Sequence, residues 1–370
     1  MPLQRMKNTE QDSSCHTLLT TVGEMNGLAG SWEAFSRTMT LPMQQFNWIK
    51  ACASTFSSTQ ELKVVVYAAA GKLLAIAPFV HHTSEGNGHL ELVGLQELSE
   101  PADLLWSDRR SLERLAAALP RFKMPIVLGR LPEDSPSIAA VRRAFRGRGV
   151  VLCREATGYP VIPLDASWKK PEDNLSTRRS SDLRRAFRKA EKVGSVRTEI
   201  LSPRREELDR LLDLAFAVEA KSWKGRVKTA LAVDAVRGSF FRQYAEGACR
   251  DGILRVCFLR LGDKPVAMQL AVECNNSFWL LKIGYDEEFS HCSPGNLLLR
   301  DTIKYAADQW LDSYVFLGSV EPWTSVWTSF ERQCVSLSVY PINVHGLAAL
   351  GKRLGTSVYN RVRTALRREA

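Results

Sequence analysis

No two of the eight cysteines, at positions 15, 52, 153, 249, 257, 274, 292 and 334, are spaced C-x-x-C. Structural zinc sites and dithiol redox centres are built on that spacing, so neither is a reading of this sequence. Several of the cysteines lie in apolar runs, where a thiol behaves as a small buried hydrophobe. The expectation is a reduced, cytoplasmic chain with free thiols and no structural metal. The six histidines, at 16, 81, 82, 89, 291 and 345, show no metal-ligand spacing either. No apolar run is long enough to span a bilayer: the longest, residues 64–80, is broken at Gly71 and Lys72 and ends near Pro78. It reads as two strands about a turn. The N-terminus is polar and lacks an apolar core segment, so no secretory signal is expected.

What is present is an ordinary globular composition. The chain has 370 residues, 45% hydrophobic and 24% charged, a length that suits two to three domains with a substantial core. The net charge of +10 is concentrated. Residues 178–192 hold seven Lys/Arg and two acids, and residues 352–370 hold six and one. Each segment carries +5, so together they account for the whole excess. An anionic partner is to be sought there.

A faint internal repeat organises the rest. Gly71 divides LKVVVYAAA from KLLAIAPFV, and Gly262 with Asp263 divides ILRVCFLRL from KPVAMQLAV. Apolar runs about a short Gly turn read as hairpins. Each is followed by a strand ending in glycine (Gly94 and Gly284), a helical pattern, and a strand ending Leu-Gly (Gly129 and Gly318). The matched glycines lie 191, 190 and 189 residues apart. A tryptophan-bearing helical stretch precedes each hairpin, around Trp48 and around Trp223. In the second, Leu208, Leu211, Leu212, Ala215 and Phe216 keep helical spacing. The fold expected is α/β (α+β), with two lobes, each a mixed, largely antiparallel sheet flanked by helices. The boundaries predicted are residues 1–165, 166–340 and a basic helical tail at 341–370.

That order, together with LPMQQFNWIKACASTF, RRSSDLRRAFRKAEKVG, AKSWKG, KPVAMQLAV, LLKIGYDEEFSHCSPGNLLL and FLGSVEPWTSVW, resembles the GNAT acyltransferases. It is most similar to the double-GNAT branch linked to cellulose and exopolysaccharide biosynthesis (CelD-like), a distant relative of the Fem-type aminoacyl transferases. The resemblance covers residues 40–335 and is strongest in the second lobe. It implies transfer of an acyl group from acyl-CoA, a co-substrate, to an amine, with no metal. Such chemistry needs a neutral amine, a hydrogen-bond donor for the oxyanion and the positioning of two substrates.

The resemblance also assigns roles. In GNAT proteins the loop between the fourth strand and the next helix reads Q/R-x-x-G-x-G/A and grips the CoA pyrophosphate. Gly295 takes the first glycine's place, while Cys292 and Leu297 stand where Gln or Arg and a second small residue would be. The cofactor-binding candidates are Ile283, Gly284, Ser293, Gly295, Asn296 and Leu297. Read by residue type alone, Ser293 and Pro294 are a capped helix start. The equivalent loop of the first lobe, WSDRRSLERL, has no glycine, which puts the cofactor in the second lobe. Glu321 is the general-base candidate, within a segment that the branch writes G-x-E-P-Y-K-x-x-W; here Trp323 and Thr324 replace the Tyr and Lys. Tyr285 is either a proton donor to the leaving thiolate or a packed aromatic. Lys282 either edges the sheet or points into a cleft, and it completes the catalytic candidates. Asp286, Trp223, Trp327 and Asp103 are the acceptor-binding candidates.

Three readings follow. The first is an N-acyltransferase acting on a small-molecule or nucleotide-sugar amine, in polysaccharide synthesis by the resemblance. The second is a Fem-like enzyme fed by aminoacyl-tRNA, which the basic segment 178–192 would suit. The third is a non-catalytic acyl-CoA-binding scaffold. The tail is expected to form a basic helix, with two readings: a plain solvated helix, which its composition favours, or one that touches an anionic membrane surface.

Overall fold

A computed structural model describes residues 14–37, 39–56, 60–83 and 88–366, with side chains described to residue 355. The chain divides into two compact units. One comprises Met1–Arg37, Met43–Thr157 and Gln333–Ala370, and the other Thr38–Pro42 and Gly158–Arg332.

The first unit opens with β1 (Cys15–Leu19), α1 (Val22–Asn26), α2 (Ala29–Ser36) and α3 (Phe46–Phe56). The hairpin β2 (Glu61–Ala69) and β3 (Lys72–His82) follows, then β4 (His89–Leu92), α4 (Leu95–Leu98), β5 (Leu105–Trp106), α5 (Arg109–Ala118), β6 (Ile126–Pro132) and α6 (Pro136–Ala144). Strands β1 to β4 pair antiparallel in sequence order, and β4 pairs parallel with β6.

After α6 comes β7 (Gly149–Pro163), whose C-terminal part belongs to the second unit. There follow α7 (Thr177–Val193), β8 (Val196–Leu201), α8 (Arg205–Ala220), α9 (Trp223–Arg226), α10 (Ala235–Arg250), the hairpin β9 (Leu254–Leu261) and β10 (Lys264–Cys274), β11 (Ser277–Tyr285), α11 (Pro294–Asp308) and β12 (Ser313–Val315). Strands β8 to β11 are again antiparallel, and β11 pairs parallel with β12. Finally β13 (Glu331–Pro341) leads into α12 (Val344–Leu366).

The two sheets share one order, β1-β2-β3-β4-β6-β13 and β8-β9-β10-β11-β12-β7. This is the tandem mixed α/β architecture that the repeat implied. The last strand of each sheet is exchanged, however. The strand that follows β6 in sequence, β7, pairs with β12, and the strand that follows β12, β13, pairs with β6. Residues 333–340, read from sequence as the end of the second lobe, therefore lie in the sheet of the first.

The glycine match is also only partly structural. Gly71 (φ 74°) and Gly262 (φ 59°) both serve the left-handed position of a tight hairpin turn. Gly94 lies beyond its strand at φ 78°, whereas Gly284 lies inside β11. Gly129 lies inside β6, and Gly318 follows β12 at φ 61°. The parallel pair, rather than the glycine positions, is the shared feature.

In the second unit β9 and β10 are buried almost throughout, from Val256 to Leu259 and from Val266 to Val272. Helices on both faces cause this. Leu183, Ala186 and Ala190 of α7 and Leu297, Leu298 and Ile303 of α11 pack on Cys257, Leu259, Phe278 and Leu280. Helices α8 and α10 pack on β9, and α8 also on β10 and β11.

Candidate functional site

The site is built where two parallel strands part. Ser277, Phe278 and Trp279 of β11 pair with Ser313, Tyr314 and Val315 of β12, and there the pairing ends. Beyond it Phe316 stays with β7, its N–H donating to the Pro160 carbonyl (3.0 Å). The chain then turns away through two successive left-handed residues, Leu317 and Gly318. Residues 280–285 of β11 thus run on without β12.

A β-bulge in the same strand sets which side chains face the opening. The register with β10 runs Ala271 to Leu280 and Leu270 to Lys282, so Leu281 is the extra residue. One extra residue flips every following side chain to the other face. Phe278 and Leu280 face α11 before the bulge, and Ile283 and Tyr285 join that cluster after it. Asp286 N–H donates to the Val266 carbonyl (2.8 Å). By antiparallel alternation the backbone groups of Ile283 and Tyr285 then point away from β10, toward the opening.

The Ile283 carbonyl has a partner there. Lys224 of α9 donates to it through Nζ (2.6 Å), and the same ammonium lies 2.9 Å from Glu219 Oε1. Glu219, at the end of α8, is 1% exposed, and its Oε2 accepts the Leu231 N–H (2.9 Å). The strand edge is therefore held by a buried carboxylate and a partly buried ammonium. Gly284 makes this approach fit: a Cβ built there would lie 2.7 Å from Glu219 Cα. Gly225, within α9, does the same against the end of α8, where a Cβ would lie 1.9 Å from the Ala220 carbonyl oxygen.

The N-terminus of α11 closes the other end. Ser293 is left-handed (φ 47°), and its hydroxyl caps nothing. Its carbonyl accepts from the Asn296 and Leu297 N–H groups (3.0 and 3.2 Å). Pro294 brings no N–H. A Cβ added at Gly295 would meet only the Tyr285 ring, at 3.5 Å, an ordinary contact. Gly295 is therefore demanded neither by its φ nor by crowding within the chain. What the missing side chain leaves is room beside Tyr285 at the positive end of a helix dipole. A phosphate group fits that chemistry. Helix α7 packs against the 3-10 turn that leads into this loop, Glu287–Cys292. Burial pushes the Cys292 thiol up, and the nearby Lys189 of α7 opposes that shift.

Glu321 is exposed on the turn after Gly318. Its Oε2 accepts the Trp323 indole N–H (2.9 Å), and its backbone N–H donates to Thr324 Oγ1 (2.9 Å). Thr324 is buried and returns a bond to the Glu321 carbonyl (2.9 Å). Where the CelD-like pattern has Lys, this chain has a residue that staples the turn. The Trp323 ring meets Phe316 edge-on at 5.8 Å, which ties the turn to the strand end beside the opening.

The structure brings Ile283, Tyr285, Gly295 and the backbone of Ser293 and Asn296 together. Other candidates fall elsewhere. Lys282 does not enter the opening; the bulge turns it to the opposite face, where its Nζ lies 4.9 Å from the Phe241 ring of α10. Leu297 is fully buried in the α11 core, so only its backbone reaches the loop. Trp327 is likewise a core residue at 3% exposure, not a cleft wall. Asp286 is buried, caps the 3-10 turn through Glu288 N–H (3.2 Å) and lies 3.2 Å from Lys221 Nζ and 3.6 Å from Lys264 Nζ. Asp103 belongs to the first unit, where its carboxylate accepts from Ser135 Oγ (2.5 Å), Ser137 Oγ (2.6 Å) and Leu104 N–H (2.7 Å). With those lone pairs committed and the side chain buried, it is a structural anchor. Trp223, by contrast, is half exposed. Sequence reading missed Glu219. Its one signal was a carboxylate on the apolar stripe of α8, four residues after Ala215.

Residues 177–325 match the family described as acetyltransferase (GNAT) domain. A comparison with curated proteins by sequence gives no match. Among solved structures the chain is similar to FemX, at 12% identity over 89% of this chain and 97% of that one, with a TM-score of 0.54. It is similar to the C-terminal DUF2156 domain of an Agrobacterium fabrum protein at 8% identity, over 89% and 95% of the two chains, with a TM-score of 0.54. L-PGS from Bacillus licheniformis aligns at 9% identity over 90% and 93%, with a TM-score of 0.51. At such identities the shared property is the fold. Residues 177–325 of the second unit thus match a GNAT-type acetyltransferase domain, and the chain as a whole is similar in its α/β fold to FemX.

Proposed function

We propose that this protein transfers an acyl group from acyl-CoA to an amine, at the opening between β11 and β12. The observation that carries the proposal is the parting of those two strands, with the uncapped N-terminus of α11 at one end, inside the segment that matches the acetyltransferase domain. Gly295, Ser293 and Asn296 would hold the pyrophosphate at the helix N-terminus. The outward N–H groups of Ile283 and Tyr285 would align the thioester arm along β11 as an added strand does. One of them would donate to the carbonyl oxygen as charge develops on it. Glu321, exposed and oriented by Trp323, would take a proton from the acceptor's ammonium, directly or through water. The neutral amine would then attack the thioester carbonyl, the C–S bond would break, and CoA would leave as a thiolate that takes up the proton the new amide nitrogen releases. The acceptor proposed is the amine of a small molecule or nucleotide-sugar.

Gly295→Asp puts a carboxylate and extra bulk where the phosphates would sit. Calorimetry with a CoA thioester should show binding weakened at least about tenfold, the equivalent of about 1.4 kcal/mol. Unchanged affinity would overturn the cradle. Glu321→Gln should lower turnover far more than CoA affinity, by about 100-fold for a lost general base. Equal turnover would remove Glu321 from the mechanism.

A second reading has a specific observation behind it. On α7, Arg185 alone of the seven basic residues pairs with a carboxylate among the described residues, Asp182 at 3.5 Å. A row of cations of this kind suits a polyanion such as aminoacyl-tRNA as the acyl donor. Salt-sensitive tRNA binding with no CoA binding would choose this reading over the first.

A further inference from the structure

Over its described side chains, to residue 355, the C-terminal helix carries an apolar face outward. Helix α12 is seated on the first unit at its start. Asn343 accepts the Gly346 N–H on its side-chain oxygen (2.8 Å) and donates through Nδ2 to the Lys123 carbonyl (2.8 Å). Gly346 lies on the inner side, where a Cβ would meet the Pro341 carbonyl oxygen at 2.0 Å. Ala349, Leu350 and Arg353, three, four and seven residues on, are half-buried. The inner side is thus set by a glycine and by residues of mixed polarity. Val344, Leu347, Gly351 and Leu354 recur at the three- and four-residue spacing of one helical face. That face is solvent-exposed: Val344 is 82% exposed, Leu347 50% and Leu354 49%, and Ile342 just before the helix is 61%. In the sequence the apolar period continues at Val358, Val362 and Leu366 within the same helix. An amphipathic helix that folds on its own domain ordinarily turns its apolar arc inward. Here the arc is left for something else to cover.

Charge decides what that is. Residues 352–370 carry six Lys/Arg and one Glu. A second copy docked on this face would bring two such +5 segments together, and the repulsion disfavours it. An anionic surface answers both features at once. Its headgroups pair with the cations, and its acyl boundary accepts Ile342, Val344, Leu347 and Leu354. We propose that α12 is an in-plane membrane helix that attaches this protein to anionic lipid bilayers.

The test uses the full chain and sedimentation with vesicles, either of phosphatidylcholine alone or of equal parts phosphatidylcholine and phosphatidylglycerol. The wild-type chain should sediment with the anionic vesicles, remain in solution with the neutral ones, and be released by raised salt. Leu347→Glu with Leu354→Glu should lower the partition into anionic vesicles at least about tenfold. Both side chains are exposed, so the melting curve should not move. Leu347→Ser with Leu354→Ser removes the apolar area without adding negative charge and should also release the protein. Three results would overturn the proposal: no vesicle binding by the wild type; binding that the leucine variants retain, which would place it on another basic surface; or a wild-type dimer in ultracentrifugation that the variants dissolve, which would make a second copy the occupant.

Discussion

Lys224→Met tests the pair that holds the edge of β11. The substitution keeps the length and apolar stem of the side chain and removes the ammonium. Glu219 would then remain 1% exposed, with one oxygen on the Leu231 N–H and the other without its cation. Breaking a buried ion pair from one side costs about 3–5 kcal/mol, because the abandoned charge stays desolvated. Lys224 keeps 21% of its side chain exposed, and the Leu231 bond still steadies the carboxylate. Both reduce the penalty, to about 2–4 kcal/mol. For a unit of this size that is a fall in melting temperature of roughly 4–16 °C. The double variant Glu219→Gln with Lys224→Met leaves no buried charge and should recover most of the loss. Calorimetric melts of the four proteins complete the cycle. A single variant that loses less than about 1 kcal/mol, or a double variant no better than the single, would refute the view that this pair is a buried, mutually dependent unit.

Gly284→Ala should destabilise the second unit by about 1–3 kcal/mol, because its new Cβ has Glu219 Cα at 2.7 Å and helix or strand must shift; a urea midpoint equal to wild type would contradict the packing described. Asp103 carries a pH signature. Burial pushes its carboxyl up from 3.8 to about 6, against the bonds from Ser135 and Ser137. The folded state therefore favours the protonated acid. The stability this supplies is complete below pH 3.8 and is lost as pH rises through about 6, in total about 3 kcal/mol. Asp103→Asn cannot titrate, so the variant's melting temperature relative to wild type should climb between pH 4.5 and 7.5, and a flat or falling difference would refute the assignment.

Much of the second unit was legible because it rests on local signals. The apolar runs about Gly262, the periodic α8 and the turn at Pro294 each declare an element within a few residues. The candidate loop was legible for the same reason: Gly295 follows a strand and opens a helix. Lys282 was not. Its side depends on Leu281 being left out of the pairing with β10, and a bulge is defined by the partner strand rather than by its own sequence. Trp327 and Thr324 sit in a motif that reads as a site, yet both are buried and one of them staples a turn. Glu219 was hidden for the opposite reason, as an acid whose partners are Lys224 of α9 and the Leu231 N–H in the turn before α10.

The sequence by itself determined the elements, their order and the doubling of the architecture, since propensity, turn chemistry and hydrophobic period act over short separations. Its excess positive charge is likewise concentrated in residues 178–192 and 352–370. Only the tertiary structure decided which strand completes each sheet. The exchange of β7 and β13 is settled by pairing between residues about 150 to 200 apart, Pro163 with Ser313 and Leu128 with Leu337, where no local signal reaches. The same holds for the opening between β11 and β12. It exists because β12 stops after three paired residues and the chain turns at Leu317 and Gly318, a matter of where two strands separate in space.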